Sequence, residues 1–193
     1  LVSETILLDG SSLTRAQLVA VARQAVPVAL DQNQLKHVQR AADFLAEKVS
    51  CGEPTYGVTT GFGSNADKLL GAHRVRDELP GSQTAVPEGT LMEELQHNLI
   101  ITHAVCVGKP FSEDVVRAML VIRINTLMRG HSGIRVSTLQ ALAAMLNAGV
   151  VPVVPEKGSV GASGDLAPLS HLAIVLLGGG EAFYCGERVS GGE

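Results

Sequence analysis

Apolar residues recur at helical spacing along much of the chain. Thr14-Arg15-Ala16-Gln17 fits a capping box, and Leu18, Val19, Ala22 and Ala25 follow it on one face until Pro27 stops the helix. Asp31 can cap a second helix, with Leu35, Val38, Ala42, Leu45 and Val49 aligned, and Cys51-Gly52-Glu53-Pro54 breaks it. A third helix is expected from about Leu91 to Val107, closed by Gly108 and Pro110. Ser112 precedes a fourth, with Glu113 and Asp114 in the first turn, where acidic groups suit the helix dipole. It carries Val116, Met119, Leu120, Arg123 and Leu127 and ends near Gly130. Ser137 begins a fifth that runs to Asn147-Ala148-Gly149, and Leu166 to Leu177 reads as a sixth with Pro168 in its first turn. Strand patterns are short: residues 5–8, a proline-interrupted piece from Val150 to Val154, and a hairpin from Ala182 across Cys185-Gly186 to Val189. The predicted class is mainly α with minor β. Residues 71–90, with Pro80, Gly81, Pro87 and Gly89, read as irregular chain long enough to be a lid.

Composition narrows the picture. A chain of 193 residues can hold one domain with a sizeable core. Aromatic residues make up only 3% and tryptophan is absent, so that core is built from Leu, Val, Ala and Ile. The net charge of −4 argues against a nucleic-acid partner, which demands a cationic face. Cys51, Cys106 and Cys185 form an odd set with no paired spacing, which favours free thiols in a reducing compartment. No apolar run reaches membrane-spanning length, and the first residues do not resemble a signal peptide. The expectation is a soluble cytoplasmic protein with no membrane partner. The chain does not open with methionine, and Gly191-Gly192-Glu193 reads as a cut within a loop, so a piece of a longer chain is expected.

Two glycine-rich segments are the candidates for chemistry. One is Gly158-Ser-Val-Gly-Ala-Ser-Gly-Asp-Leu-Ala-Pro168, centred on Ala162-Ser163-Gly164. None of those three side chains is a strong acid, base or metal ligand unaided. As a bare tripeptide they read as a turn before a helix, whose unpaired amides and positive dipole end lie beside them, with Asp165 as a possible N-cap. The other segment is Tyr56-Gly-Val-Thr-Thr-Gly-Phe-Gly-Ser64, which Gly57, Gly61 and Gly63 make mobile or sharply turned. Tyr56 alone reads as a packing residue, since a phenol that loses its proton near pH ~10 needs help to act as a base. His103, in Leu99-Ile-Ile-Thr-His-Ala, lies on an apolar helix, where a lone histidine is most often a core residue.

Other chemistries fit poorly. His37, His73, His97, His103, His131 and His171 show no metal-ligand spacing, so no metal is expected. No Gly-x-x-x-x-Gly-Lys or Gly-x-Gly-x-x-Gly precedes a helix, so no nucleotide is expected. Gly161-Ala-Ser-Gly lacks the second glycine position of a serine-nucleophile elbow.

The run from Gly158 through Pro168 to Leu169-Ser170-His171 resembles the motif of the histidine/phenylalanine/tyrosine ammonia-lyase family almost letter for letter. The resemblance implies a self-made prosthetic group, 4-methylidene-imidazol-5-one. The amide nitrogen of Gly164, free of a neighbouring Cβ, closes on the carbonyl of Ala162 with loss of one water. Loss of the Ser163 hydroxyl as a second water leaves an electrophilic methylene. Tyr56 to Gly63 resembles the same family, which implies that Tyr56 is the general base for the β-proton and that Gly63 belongs to the pocket wall. Thr102-His103 falls where the family faces the substrate ring. Phenylalanine lyases usually carry Phe-Leu there, tyrosine lyases His-Leu, and histidine lyases and some tyrosine aminomutases Ser-His. Thr102 keeps the hydroxyl, so His103 is expected to bond a substrate imidazole. Val105-Cys106 departs from the small pair usual at that point, and the 71–90 loop is longer than typical. Arg123 to Arg135 also matches family sequence and is given a structural role first.

The resemblance covers nearly all of residues 1–193 but only the front of a family member, as an N-terminal domain before a central helical bundle. It implies L-histidine converted to trans-urocanate and ammonia, in a homotetramer whose active sites are shared between subunits. Tyrosine or phenylalanine ammonia-lyase, 2,3-aminomutase and a non-catalytic helical module descended from a lyase remain alternatives.

Overall fold

The capping box at Thr14 forms as its sequence demands. The Gln17 amide donates to Thr14 Oγ1 at 3.3 Å, and the Thr14 amide donates to Gln17 Oε1 at 2.9 Å. This starts α1 (Arg15–Gln24), which ends at Ala25 in the left-handed conformation, before Pro27. Asp31 closes the start of α2 (Gln32–Ser50) by accepting the Gln34 amide at 2.7 Å. A computed structural model describes residues 5–61, 88–161 and 164–193. The expected lid, apart from its last residues, and the sites Gly63, Ala162 and Ser163 lie outside the described residues.

Two short strands, β1 (Ile6–Leu8) and β2 (Val28–Leu30), pair in parallel with Ile6 opposite Val28. The second was not expected from sequence. Its free edge is satisfied by a side chain: Asn147 accepts the Val28 N–H and donates to the Val28 carbonyl, both at 2.9 Å.

The helix expected over 91–107 is instead α3 (Glu88–His103). Its former last residues open into β3 (Val107–Pro110), which pairs antiparallel with β5 (Pro155–Lys157). Backbone hydrogen bonds to a distant strand outweigh helix continuation there. Next come α4 (Glu113–Leu127) and α5 (Val136–Asn147). Ser112 takes the N-cap position of α4, but its hydroxyl goes to Asp114 and not to a backbone amide. After α5, β4 (Val151–Pro152) joins the β6 (Glu181–Tyr184)–β7 (Glu187–Ser190) hairpin in an antiparallel sheet. Between them lies α6 (Leu166–Ile174), extended by a 3₁₀ turn over Val175–Leu177. The result is mainly α with minor β, as expected.

The chain divides into two units, one of Leu1–Asp43 with Ile100–Glu193 and one of Phe44–Leu99. The core of the first unit is aliphatic. Leu8, Val21, Val38, Leu120, Ile124, Leu139 and Leu146 are buried from α1, α2, α4, α5 and β1. Arg117 is buried among them and fully used. Its Nε and Nη2 donate to the Val21 carbonyl at 3.1 and 3.0 Å, and Nη1 donates to the Leu146 carbonyl at 3.1 Å. Both carbonyls belong to the last turns of helices, which carry partial negative charge and lack intrahelical donors. One guanidinium thus ties α1 and α5 to α4.

Candidate functional site

Gly158 leaves β5 with φ +151° at a point of very close approach. A Cβ there would stand 2.6 Å from Cys106 Sγ and 2.9 Å from Cys106 Cα, so only glycine fits. The segment then turns sharply on either side of residues 162–163, with Gly161 at φ +76° and Gly164 at φ +82°. Among the described residues, nothing beyond the chain neighbours lies within 4 Å of a Cβ placed at either glycine. Asp165 is also left-handed, at φ +56°. It holds the N-cap position of α6, yet its carboxylate makes no bond to the helix and accepts the Ser159 hydroxyl instead. That bond closes the base of the loop. Gly161 and Gly164, both without a Cβ and at positive φ, flank the expected cyclising residues in sequence, which suits the expected prosthetic group.

The other wall comes from the end of α3. Helical bonding ends with the Ala104 amide donating to Ile100, and the Val105 amide turns back to the His103 carbonyl at 2.9 Å. Thr102 Oγ1 lies 3.4 Å from His103 Nδ1. A cavity of about 220 Å³ is lined by Thr102, His103 and Val105 on this side, and by Gly158, Val160, Gly161, Asp165, Leu166 and Ala167 on the other. The structure therefore brings two of the expected substrate-binding residues against the flanks of the expected electrophile. A larger depression of about 500 Å³, around Arg23, Asp114 and Arg117, contains none of the expected site residues.

Cys106 joins the two walls. It is buried, and its amide donates to His171 Nε2, on α6, at 3.1 Å. Burial lowers the His171 pKa from its ordinary 6.5, which keeps the ring neutral and Nε2 free to accept. Burial likewise raises the Cys106 thiol, so this cysteine is not an activated nucleophile. The sequence offered no local sign of this contact, because its partners lie 65 residues apart.

Tyr56 belongs to the second unit and sits exposed at the start of a turn. That turn is tied by its own threonines and is not a free loop. Thr59 Oγ1 accepts the Thr55 amide and donates to the Glu53 carbonyl, both at 2.7 Å. Thr60 Oγ1 accepts the Gly57 amide at 3.3 Å, and both hydroxyl-bearing residues are buried. Gly57, at φ +71°, supplies the left-handed residue that lets the chain double back.

A family model for aromatic amino acid lyases matches residues 13–193. Histidine ammonia-lyase of Symbiobacterium thermophilum is 46% identical over 184 residues, covering 95% of this chain and 33% of that protein. Among solved structures, ergothionase from Treponema denticola superposes with a TM-score of 0.85 at 26% identity, over 97% of this chain and 34% of that one. Histidine ammonia-lyase from Trypanosoma cruzi gives a TM-score of 0.80 at 35% identity, over 98% of this chain and 34% of that one. The chain thus spans about one third of the length of the relatives it matches. No described helix is long and apolar enough to cross a membrane.

Proposed function

The chain belongs to the aromatic amino acid lyase family, and on that premise we propose that the full-length protein eliminates ammonia from L-histidine to give trans-urocanate. The observation that carries this reading is the shared cavity, which Thr102 and His103 line together with Gly161 and Asp165. Ala162, Ser163 and Gly164 would form the methylidene-imidazolone. Once formed, it supplies an electrophile that makes the substrate's amino nitrogen a better leaving group.

The remaining work falls to ordinary side chains. His103 bonds the substrate imidazole, which orients the ring, and the Thr102 hydroxyl lies beside His103 Nδ1. The amides that open α6 present donors and the positive end of a dipole near Gly164, which favours electron density gathering there. Tyr56 takes the β-proton, a role carried from its motif. Assembly as a homotetramer with shared sites, in the cytoplasm, belongs to the same proposal. The free thiols of Cys51, Cys106 and Cys185 suit a reducing compartment.

Intact mass of the full-length protein tests the reading. The folded wild type should be lighter than its encoded sequence by two waters. Ser163→Ala should lack that loss and should cost more than the about 10²–10⁴ in rate that a positioned base contributes. A folded wild type of unmodified mass would favour a non-catalytic module. Turnover of histidine, followed as urocanate, against cinnamate or coumarate formation separates the histidine enzyme from its tyrosine and phenylalanine counterparts.

A further inference from the structure

We propose, resting on the lyase reading above, that His171 is a positioning residue that locks the electrophile loop against the Thr102–His103 wall by accepting the Cys106 N–H. Three observations meet at Cys106. Its amide is anchored to α6, the helix that leaves the loop, through His171 Nε2 at 3.1 Å. Its Cα is pressed against Gly158, where the loop begins, closely enough that a Cβ on Gly158 would stand at 2.9 Å. Upstream, Ala104 and Val105 connect it directly to His103, at the end of α3. The start of the loop, its exit helix and the substrate wall are thus referred to one backbone position.

The contact needs an imidazole of one kind. Nε2 must present a lone pair, so in the neutral ring the proton sits on Nδ1. A buried amide left without an acceptor is costly, so Cys106 would shift to find water if Nε2 were removed. Any such shift moves Gly158 and His103 relative to each other, because Gly158 only packs against Cys106 while His103 is joined to it through the chain. His171 does not itself line the cavity that Thr102, His103 and Gly161 share, so it acts through Cys106 and not on substrate.

The test compares two full-length variants of equal polarity and unequal reach. In His171→Gln the side-chain amide oxygen reaches the place of Nε2; in His171→Asn it stops short. Each is assayed for thermal unfolding, for the fraction of chains lighter by two waters, and for kcat and KM with histidine. His171→Gln should stay within about threefold of wild-type kcat/KM with full mass loss. His171→Asn should lose about 10–100-fold, the scale of a misplacement near 1 Å, with part of the protein left unmodified. If the two variants behave alike, whether both intact, both impaired or both unfolded, while the wild type is modified, the positioning role is overturned. A wild type without the two-water loss overturns the lyase reading and this role with it.

Discussion

The glycine-rich turn around Tyr56 is held by its own neighbours, whereas the glycine-rich loop around Gly164 is held largely from a distance. In the first, the threonine ties span six residues or fewer, from Thr59 and Thr60 to Glu53, Thr55 and Gly57. In the second, the Ser159–Asp165 bond is local, but the Cys106–His171 bond spans 65 residues, and Gly158, just past β5, meets Cys106, just before β3. A local turn can form as soon as its residues are synthesised. A loop tethered through β3, β5 and α6 takes shape only when the first unit has folded, because distant contacts pay their loop-closure entropy first. For a segment expected to cyclise its own backbone, this delays competence until the surrounding fold can hold the geometry.

Substitutions can break each side of that contrast. Tyr56→Phe should leave the turn folded, since the threonine ties do not use the phenol. It should lower kcat of the full-length enzyme by about 10²–10⁴, about 3–5 kcal/mol at the barrier. A variant with wild-type kcat would remove Tyr56 from the proton-transfer role. Gly158→Ala adds a Cβ at 2.6 Å from Cys106 Sγ at φ +151°, so strain and overpacking should destabilise the protein by about 2–4 kcal/mol in denaturant melts. It should also reduce the two-water mass loss, whereas a change confined to the Tyr56 turn should not. Thr59→Val keeps shape but orphans the Thr55 amide, while the Glu53 carbonyl keeps the Thr55 hydroxyl, at a cost of about 1–2 kcal/mol with the two-water mass loss intact. The smallest effect is acid sensitivity. His171 binds a proton more weakly when folded than unfolded, so its contribution is complete above pH 6.5 and fades as pH falls below that value toward the depressed folded pKa. The difference in melting temperature between wild type and His171→Gln, measured from pH 7.5 downward, should shift in favour of the variant.

Legibility followed the same division. The capping box at Thr14, the Asp31 cap and the β6–β7 hairpin could be read because each is written within a few residues. The pairing of β2 with β1 could not, since three residues after Pro27 carry too little pattern and their other edge is covered by Asn147. The end of α3 was misplaced because the apolar run continues to Val107, and only the partner strand β5 shows where the helix must stop. Thr102-His103 stood out in the sequence and lines the described cavity with Gly161 and Asp165, while Tyr56 lies in the turn of the second unit. What keeps the loop in place, His171 through Cys106, was hidden. That histidine looked like one of six without ligand spacing, and a backbone amide leaves no mark in a sequence.

Arg117 differs from His171 in one respect that matters under stress. A guanidinium keeps its charge at any acidity a protein meets, so its three donors to the ends of α1 and α5 never switch off. Mild acid therefore reaches the molecule unevenly. It loosens the fastening beside Gly158 while the Arg117 ties hold, so local loosening there with retained helicity is the expected first response to acid.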